Sequence, residues 1–120
     1  MDDEKKKLIE QCKKKLIQIR QERMNGMQKL RSALTTEIQG DEADMATTLE
    51  YQHTSLMQRE KLIRDLQEVD AALNRIESGT FGVCEETGDP IEPSRLLAIP
   101  WTRLSIEGAE IRERNVKRYA

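Results

Sequence analysis

Aromatic side chains are almost missing from this chain: one Trp, two Tyr and one Phe, 3% of 120 residues. A rounded domain of that length needs more bulky apolar groups to fill its core. The scarcity excludes one large globule and favours long, solvent-washed helices. Proline is scarce too, and all three prolines lie at or after Pro90. The first three quarters of the chain therefore lack the residue that breaks helices, and Gly26 alone weakens the run before Gly40. The two cysteines, Cys12 and Cys84, stand far apart in unlike surroundings, which suggests no disulfide framework and fits a reducing cytoplasm. No window approaches the roughly 20 apolar residues that span a bilayer. The N-terminal "MDDEKKKLIEQ" has no apolar stretch of the signal-peptide kind. The lone histidine, His53, has no second metal-type ligand at helical spacing and reads as an interhelical or surface residue. No catalytic triad or phosphate loop occurs, so an enzyme is not expected.

Charge is abundant instead, at 35% Asp, Glu, Lys and Arg, and its distribution is uneven. Residues 1–37 carry ten Lys/Arg and six Asp/Glu, a net of +4, whereas 38–58 carry four acids and no Lys or Arg, a net of −4. The Lys5–Lys7 and Lys13–Lys15 runs are interspersed with acids and free of aromatics. They read as a solvated helix face, and no base-reading motif points to sequence-specific DNA binding.

Apolar residues recur at three and four through Leu8, Cys12, Leu16 and Ile19, then Met27, Leu30, Leu34 and Ile38, with Arg23 interrupting. A second stripe runs through Leu49, Leu56 and Ile63 and continues in Leu62, Leu66, Val69, Leu73 and Ile76. Neither helix can hide its stripe alone, so the two are predicted to pair antiparallel as an arm about 45 Å long. Met24, Met27, Met45 and Met57 fall in its outer half and suit adaptable seam contacts. The link is "IQGDEADMATTLE", with Gly40 as a helix terminator, Asp41 or Asp44 as a cap and Thr47-x-x-Glu50 as a capping box. After "ESGT" the composition changes. "FGVCEETGDPIE" reads as two short strands around a turn, and "LSIEGAEIRERNVKRYA" as a final helix capped by Ser105. The expected fold is mainly α: a long antiparallel coiled-coil hairpin over 1–77, with its acidic tip at 40–47. A small zinc-ribbon-like globular domain and C-terminal helix would fill 78–120.

The spacing Cys84-x2-Thr87-x17-Ser105-x2-Gly108 has the two close pairs of a structural zinc ribbon, yet three of the four sulfurs are absent. Taken with "G-x-F-G-x-C" at 79–84, "RLLAxP" at 95–100 and Asp41-x-x-Asp44-x-Ala46 in the link, this pattern resembles the DksA/TraR family of bacterial transcription factors. The resemblance covers most of the chain. It implies a partner, RNA polymerase, and an arm that enters the enzyme's secondary channel. Asp41, Asp44 and Ala46 would be the tip residues that lower open-complex stability at initiation, and the globular end would seat on the channel rim. It also implies a cytoplasmic regulator of the stringent-response type, acting as a monomer without base-specific DNA contacts.

Where this chain departs from the pattern, other expectations follow. Thr87 and Ser105 hydroxyls replace thiolates poorly and Gly108 offers no donor, so the zinc is expected to be lost and no cofactor is expected. Structural zinc supplies about 10–16 kcal/mol of apparent folding energy. Apolar burial by Phe81, Val83, Ile91, Leu96, Leu97, Ile99, Trp101, Leu104 and Ile106 is the expected substitute. Cys84 is expected to be an unreactive buried thiol, since Glu85 and Glu86 oppose thiolate formation. Ile99 and Ala109 stand where some family members carry basic residues, so the response to guanosine tetraphosphate is expected to be weakened or absent. Two rival functions remain: a Gre-type transcript-cleavage factor, whose tip carboxylates help hold a catalytic metal in the same channel, and a passive coiled-coil adaptor unrelated to polymerase.

Overall fold

The computed structural model describes residues 2–39 and 45–119, with side chains over 3–33 and 48–118. Two long helices, α1 (Asp2–Gln39) and α2 (Met45–Ser78), form the antiparallel hairpin. A short α3 (Pro93–Ala98) and a terminal α4 (Ile106–Tyr119) follow. The molecule measures 62 × 37 × 21 Å, elongated as a hairpin with a knob at its base must be.

α2 stops where the sequence lets it. Gly79 takes φ +80, a conformation costly for any residue with a Cβ. Its N–H reaches the Ile76 carbonyl at 3.3 Å and the Thr80 N–H reaches Arg75 at 2.9 Å, the paired bonds of a Schellman cap. The chain then folds into a knuckle. Cys84 N–H donates to Asp89 at 2.8 Å, Gly88 N–H to Cys84 at 2.9 Å, and Ile91 N–H to Gly82 at 2.8 Å. The two strands expected here reduce to a single antiparallel bridge between Val83 and Pro90. A ladder that short leaves the knuckle to be held by turns and side chains. The helix α3, which sequence patterning missed, begins with Pro93 in its first turn, where a missing N–H costs nothing.

The core is continuous from the arm's base into the knob. Cys12, Leu16, Val69 and Ala72 from the hairpin join Phe81, Cys84, Ile91 and Leu96, with Leu8, Ile19, Trp101 and Leu104 packed around them. α1 also holds the free carbonyls at the end of α3: the Cys12 thiol lies 3.6 Å from the Leu96 carbonyl, and Lys15 Nζ donates to the Leu97 carbonyl at 2.7 Å. Of the apolar residues expected to replace zinc, Phe81, Ile91 and Leu96 are buried. Val83 and Ile106 are 46% and 51% exposed and contribute little.

Farther out, the expected seam is displaced. Leu49 and Leu56 are 59% and 52% exposed, while Ser55 is buried. The inward line continues back from Val69 through Leu62 to Ser55, one residue away from the Leu49–Leu56–Ile63 line and therefore about 100° around the helix. Polar contacts fix the register there: Arg23 Nε meets Asp65 at 3.0 Å and Arg20 meets Asp70 at 3.0 Å. Arg23 thus bridges the helices rather than interrupting them. Thr47 falls inside α2, which already begins at Met45, so the proposed capping box does not start the helix. Gly40, Asp41 and Asp44 lie outside the described residues.

The arm is therefore tied at its base. Leu16→Ala is expected to cost about 2–5 kcal/mol. Leu56→Ala, at a half-solvated position, is expected to change stability by no more than about 0.5 kcal/mol. Urea unfolding of the two variants measures the contrast.

Candidate functional site

Two places carry the sequence-derived candidates. The tip residues Asp41 and Asp44 lie outside the described residues. Ala46 belongs to the first turn of α2, and its side chain is likewise not described. The other four candidates, Cys84, Thr87, Ser105 and Gly108, are brought together by the knuckle and the start of α4.

Ser105 caps α4 as expected. Its Oγ accepts the Gly108 N–H at 3.0 Å, the bond of an N-cap to the third helical residue. Thr87 Oγ1 accepts the Asp89 N–H at 3.2 Å and closes the knuckle turn. A Cβ placed on Gly108 would collide with Cys84 Sγ and stand 3.3 Å from Ser105 Oγ. The sulfur fills the room that a side chain at 108 would need. One thiol, two hydroxyls and a glycine do not fit a structural zinc ion, and no cluster of three or more His, Cys, Asp or Glu among the described residues could hold a metal.

The same geometry revises the expectation for Cys84. It is buried, at 1% exposure, and burial alone would push its thiol up. Hydrogen bonds outweigh that: the hydroxyls and backbone N–H groups of Ser105 and Thr87 turn toward the sulfur and bring its pKa down to about 6. The balance favours the thiolate over an ordinary buried thiol. Glu85 and Glu86 do not oppose this, because both carboxylates are engaged elsewhere. Glu85 pairs with Arg103 at 3.0 Å and Arg112 at 3.5 Å, and Glu86 with Arg112 at 3.0 Å. Cys12 differs, since burial raises its thiol further than Lys15 lowers it.

Arg103 extends the network to the arm, with Nε 3.1 Å from Glu68 on α2. Its guanidinium is held more firmly protonated, chiefly by the hydrogen bonds it donates to Glu68 and Glu85. Beneath it, burial pushes Arg75 down and the neighbouring Arg103 adds to the shift. Arg75 Nη2 donates to the Trp101 carbonyl at 3.2 Å, and Nη1 has no partner among the described residues. Sequence reasoning missed this relay from α4 through the knuckle to α2. Its ion-paired members lie at least 18 positions apart in the chain, so no local periodicity marks them. Ile99 and Ala109, the departures linked to the alarmone, are both half-buried.

The depressed Cys84 pKa fixes the sign of a pH effect. The stabilisation from the thiolate is complete above the ordinary thiol value of 9.0 and is lost as pH falls through about 6. The melting-temperature gap between wild type and Cys84→Ala should therefore narrow from alkaline pH toward pH 6. A thiolate absorbance titration should place the Cys84 midpoint near the same value.

Comparison with known proteins accounts for the arrangement. The family model for the prokaryotic dksA/traR C4-type zinc finger matches residues 79–114, the knuckle through most of α4. The RNA polymerase-binding transcription factor DksA of Caulobacter vibrioides is 35% identical over 108 residues, covering 88% of this chain and 76% of that protein. An uncharacterized protein of Aquifex aeolicus is 49% identical over 57 residues, 48% of this chain and 39% of its own length. The solved structure of transcription factor DksA2 from Pseudomonas aeruginosa superposes with a TM-score of 0.84 at 32% identity, covering 92% of this chain and 86% of that one. A finger matched in sequence, and a hairpin matched along nearly its whole length, make this chain a member of the DksA/TraR family.

Proposed function

We propose that this chain is a transcription regulator that binds RNA polymerase through the secondary channel, with residues 1–77 as the inserted arm and 78–120 as the knob on the channel rim. Asp41, Asp44 and Ala46 at the turn of the arm are the residues that modulate open-complex stability. The observation that carries this reading is the long hairpin clamped at its knob end, whose helices α1 and α2 run from that clamp to Gln39 and Met45 on either side of the acidic segment in the sequence. Carboxylates delivered on such a rod can pair with basic groups or bias a mobile loop in a larger enzyme without chemistry of their own. Family membership and the polymerase-binding role of the Caulobacter relative support it further. The chain acts as a monomeric regulator rather than an enzyme, and makes no base-specific DNA contacts. The transcript-cleavage alternative finds no support in the comparisons.

In transcription assays with purified polymerase, wild-type protein should shorten the lifetime of sensitive open complexes. Asp44→Asn should lose that effect while its affinity for polymerase stays near wild type. Equal activity of the two proteins would sink the tip assignment, and shortening of RNA in stalled complexes would restore the cleavage reading. With Ile99 and Ala109 in place of basic residues, guanosine tetraphosphate should add little to the wild-type effect.

The knob in this reading folds without metal. Its support is the sulfur-centred arrangement of Cys84, Thr87 and Ser105, together with the lack of room at Gly108. Strong chelators should leave the melting temperature unchanged, and metal analysis of the same sample should find far less than one zinc per chain. A stoichiometric, tightly held zinc ion would overturn it.

A further inference from the structure

Halfway along the arm, α1 and α2 part around a cleft of about 560 Å3. Its apolar floor comes from Gly26 and Leu30 on α1 and Leu62 on α2, with the small, buried Ser55 farther toward the tip. The gap has a plain origin. Gly26 contributes no side chain, and a Cβ built there would only just touch Leu62, at 3.5 Å. Ser55 stands on the inward line where a leucine would have filled the space.

The charges around this cleft are unlike those nearer the knob. At the next levels down, Arg23 and Arg20 are neutralised by Asp65 and Asp70. Lys29 and Lys61 also line the cleft. Both are exposed, and among the described residues neither has a carboxylate partner and no acidic residue lines the cleft beside them. A concave apolar surface flanked by two unpaired cations is complementary to a specific kind of ligand.

We propose that this cleft docks a protein segment presenting one bulky apolar side chain between carboxylates. The apolar group fills the space over Gly26 and Leu62, and the carboxylates pair with Lys29 and Lys61. A nucleic-acid backbone would satisfy the lysines but leave the apolar floor uncovered, which favours an acidic polypeptide. The segment belongs to RNA polymerase, so the proposal rests on the function inferred above and supplies it with a second contact, between knob and tip.

The test uses the full chain with core polymerase. A photo-crosslinking residue at position 58, in place of the cleft-lining Gln58, should capture a polymerase peptide with Asp or Glu beside a large apolar residue. The double charge reversal Lys29→Glu with Lys61→Glu should raise Kd on the order of tenfold and flatten its dependence on salt. Neutral Lys29→Gln with Lys61→Gln should fall between that and wild type. Circular dichroism checks that these exposed changes leave the helices intact. Wild-type affinity in the reversed protein overturns the cleft proposal and leaves the polymerase reading standing, as does a crosslink to nucleic acid or to a peptide without acids. Wild-type protein that fails to bind polymerase at all overturns the parent reading, and the cleft's assignment with it.

Discussion

The contact on which the rest of the molecule leans is the burial of the hairpin's base against α3 and the knuckle. Two amphipathic helices with few aromatic side chains bury little area along most of their length. Cys12, Leu16, Val69 and Ala72 meet Phe81, Ile91 and Leu96 in one continuous core. Lys15 adds a charged hydrogen bond to the last turn of α3, so the joint is fixed in direction as well as closed to water. An arm anchored in this way can carry a position set at one end to the other, because helices are stiff and the base cannot swivel without exposing its apolar groups.

The knob keeps a zinc-ribbon outline around a different set of side chains. In a ribbon, anionic sulfurs converge on a cation. Here hydrogen-bond donors from Ser105 and Thr87 converge on one sulfur and favour its thiolate, and the glycine at the fourth position leaves the sulfur its space. The neighbouring carboxylates would disfavour that charge if they faced it. Arg103 and Arg112 draw them off, and Arg103 also ties the knuckle to Glu68 on the arm. These surface pairs are individually worth little. Their significance lies in tying α4 to the knuckle and the knuckle to α2.

Along the arm the balance of forces shifts. The base is apolar and closed, the middle is registered by Arg–Asp pairs, and the level of Gly26 and Ser55 is open. Leu49, Leu56, Met24 and Met57 stay about half exposed in the same outer region. Apolar groups left uncovered on an extended arm fit a surface that meets a partner more readily than one that only supports a fold.

Sequence alone determined the hairpin, its rough length, the exit from it at "ESGT", the Ser105 cap and the family. Each rests on local chemistry: missing prolines, three-four periodicity, a change of composition after Ser78, a hydroxyl three residues before an N–H, and short motifs. It also marked Cys84, Thr87, Ser105 and Gly108 as one set. Only the tertiary structure decided which leucines face inward, because a one-residue offset turns a stripe by about 100° and the partner helix selects the register. It likewise decided that hydrogen bonds lower the Cys84 pKa, that Glu85 and Glu86 are spoken for, and that α3 docks on Cys12 and Lys15. Those properties depend on groups far apart in the chain, and a pKa or an ion pair follows distance in space rather than distance in sequence.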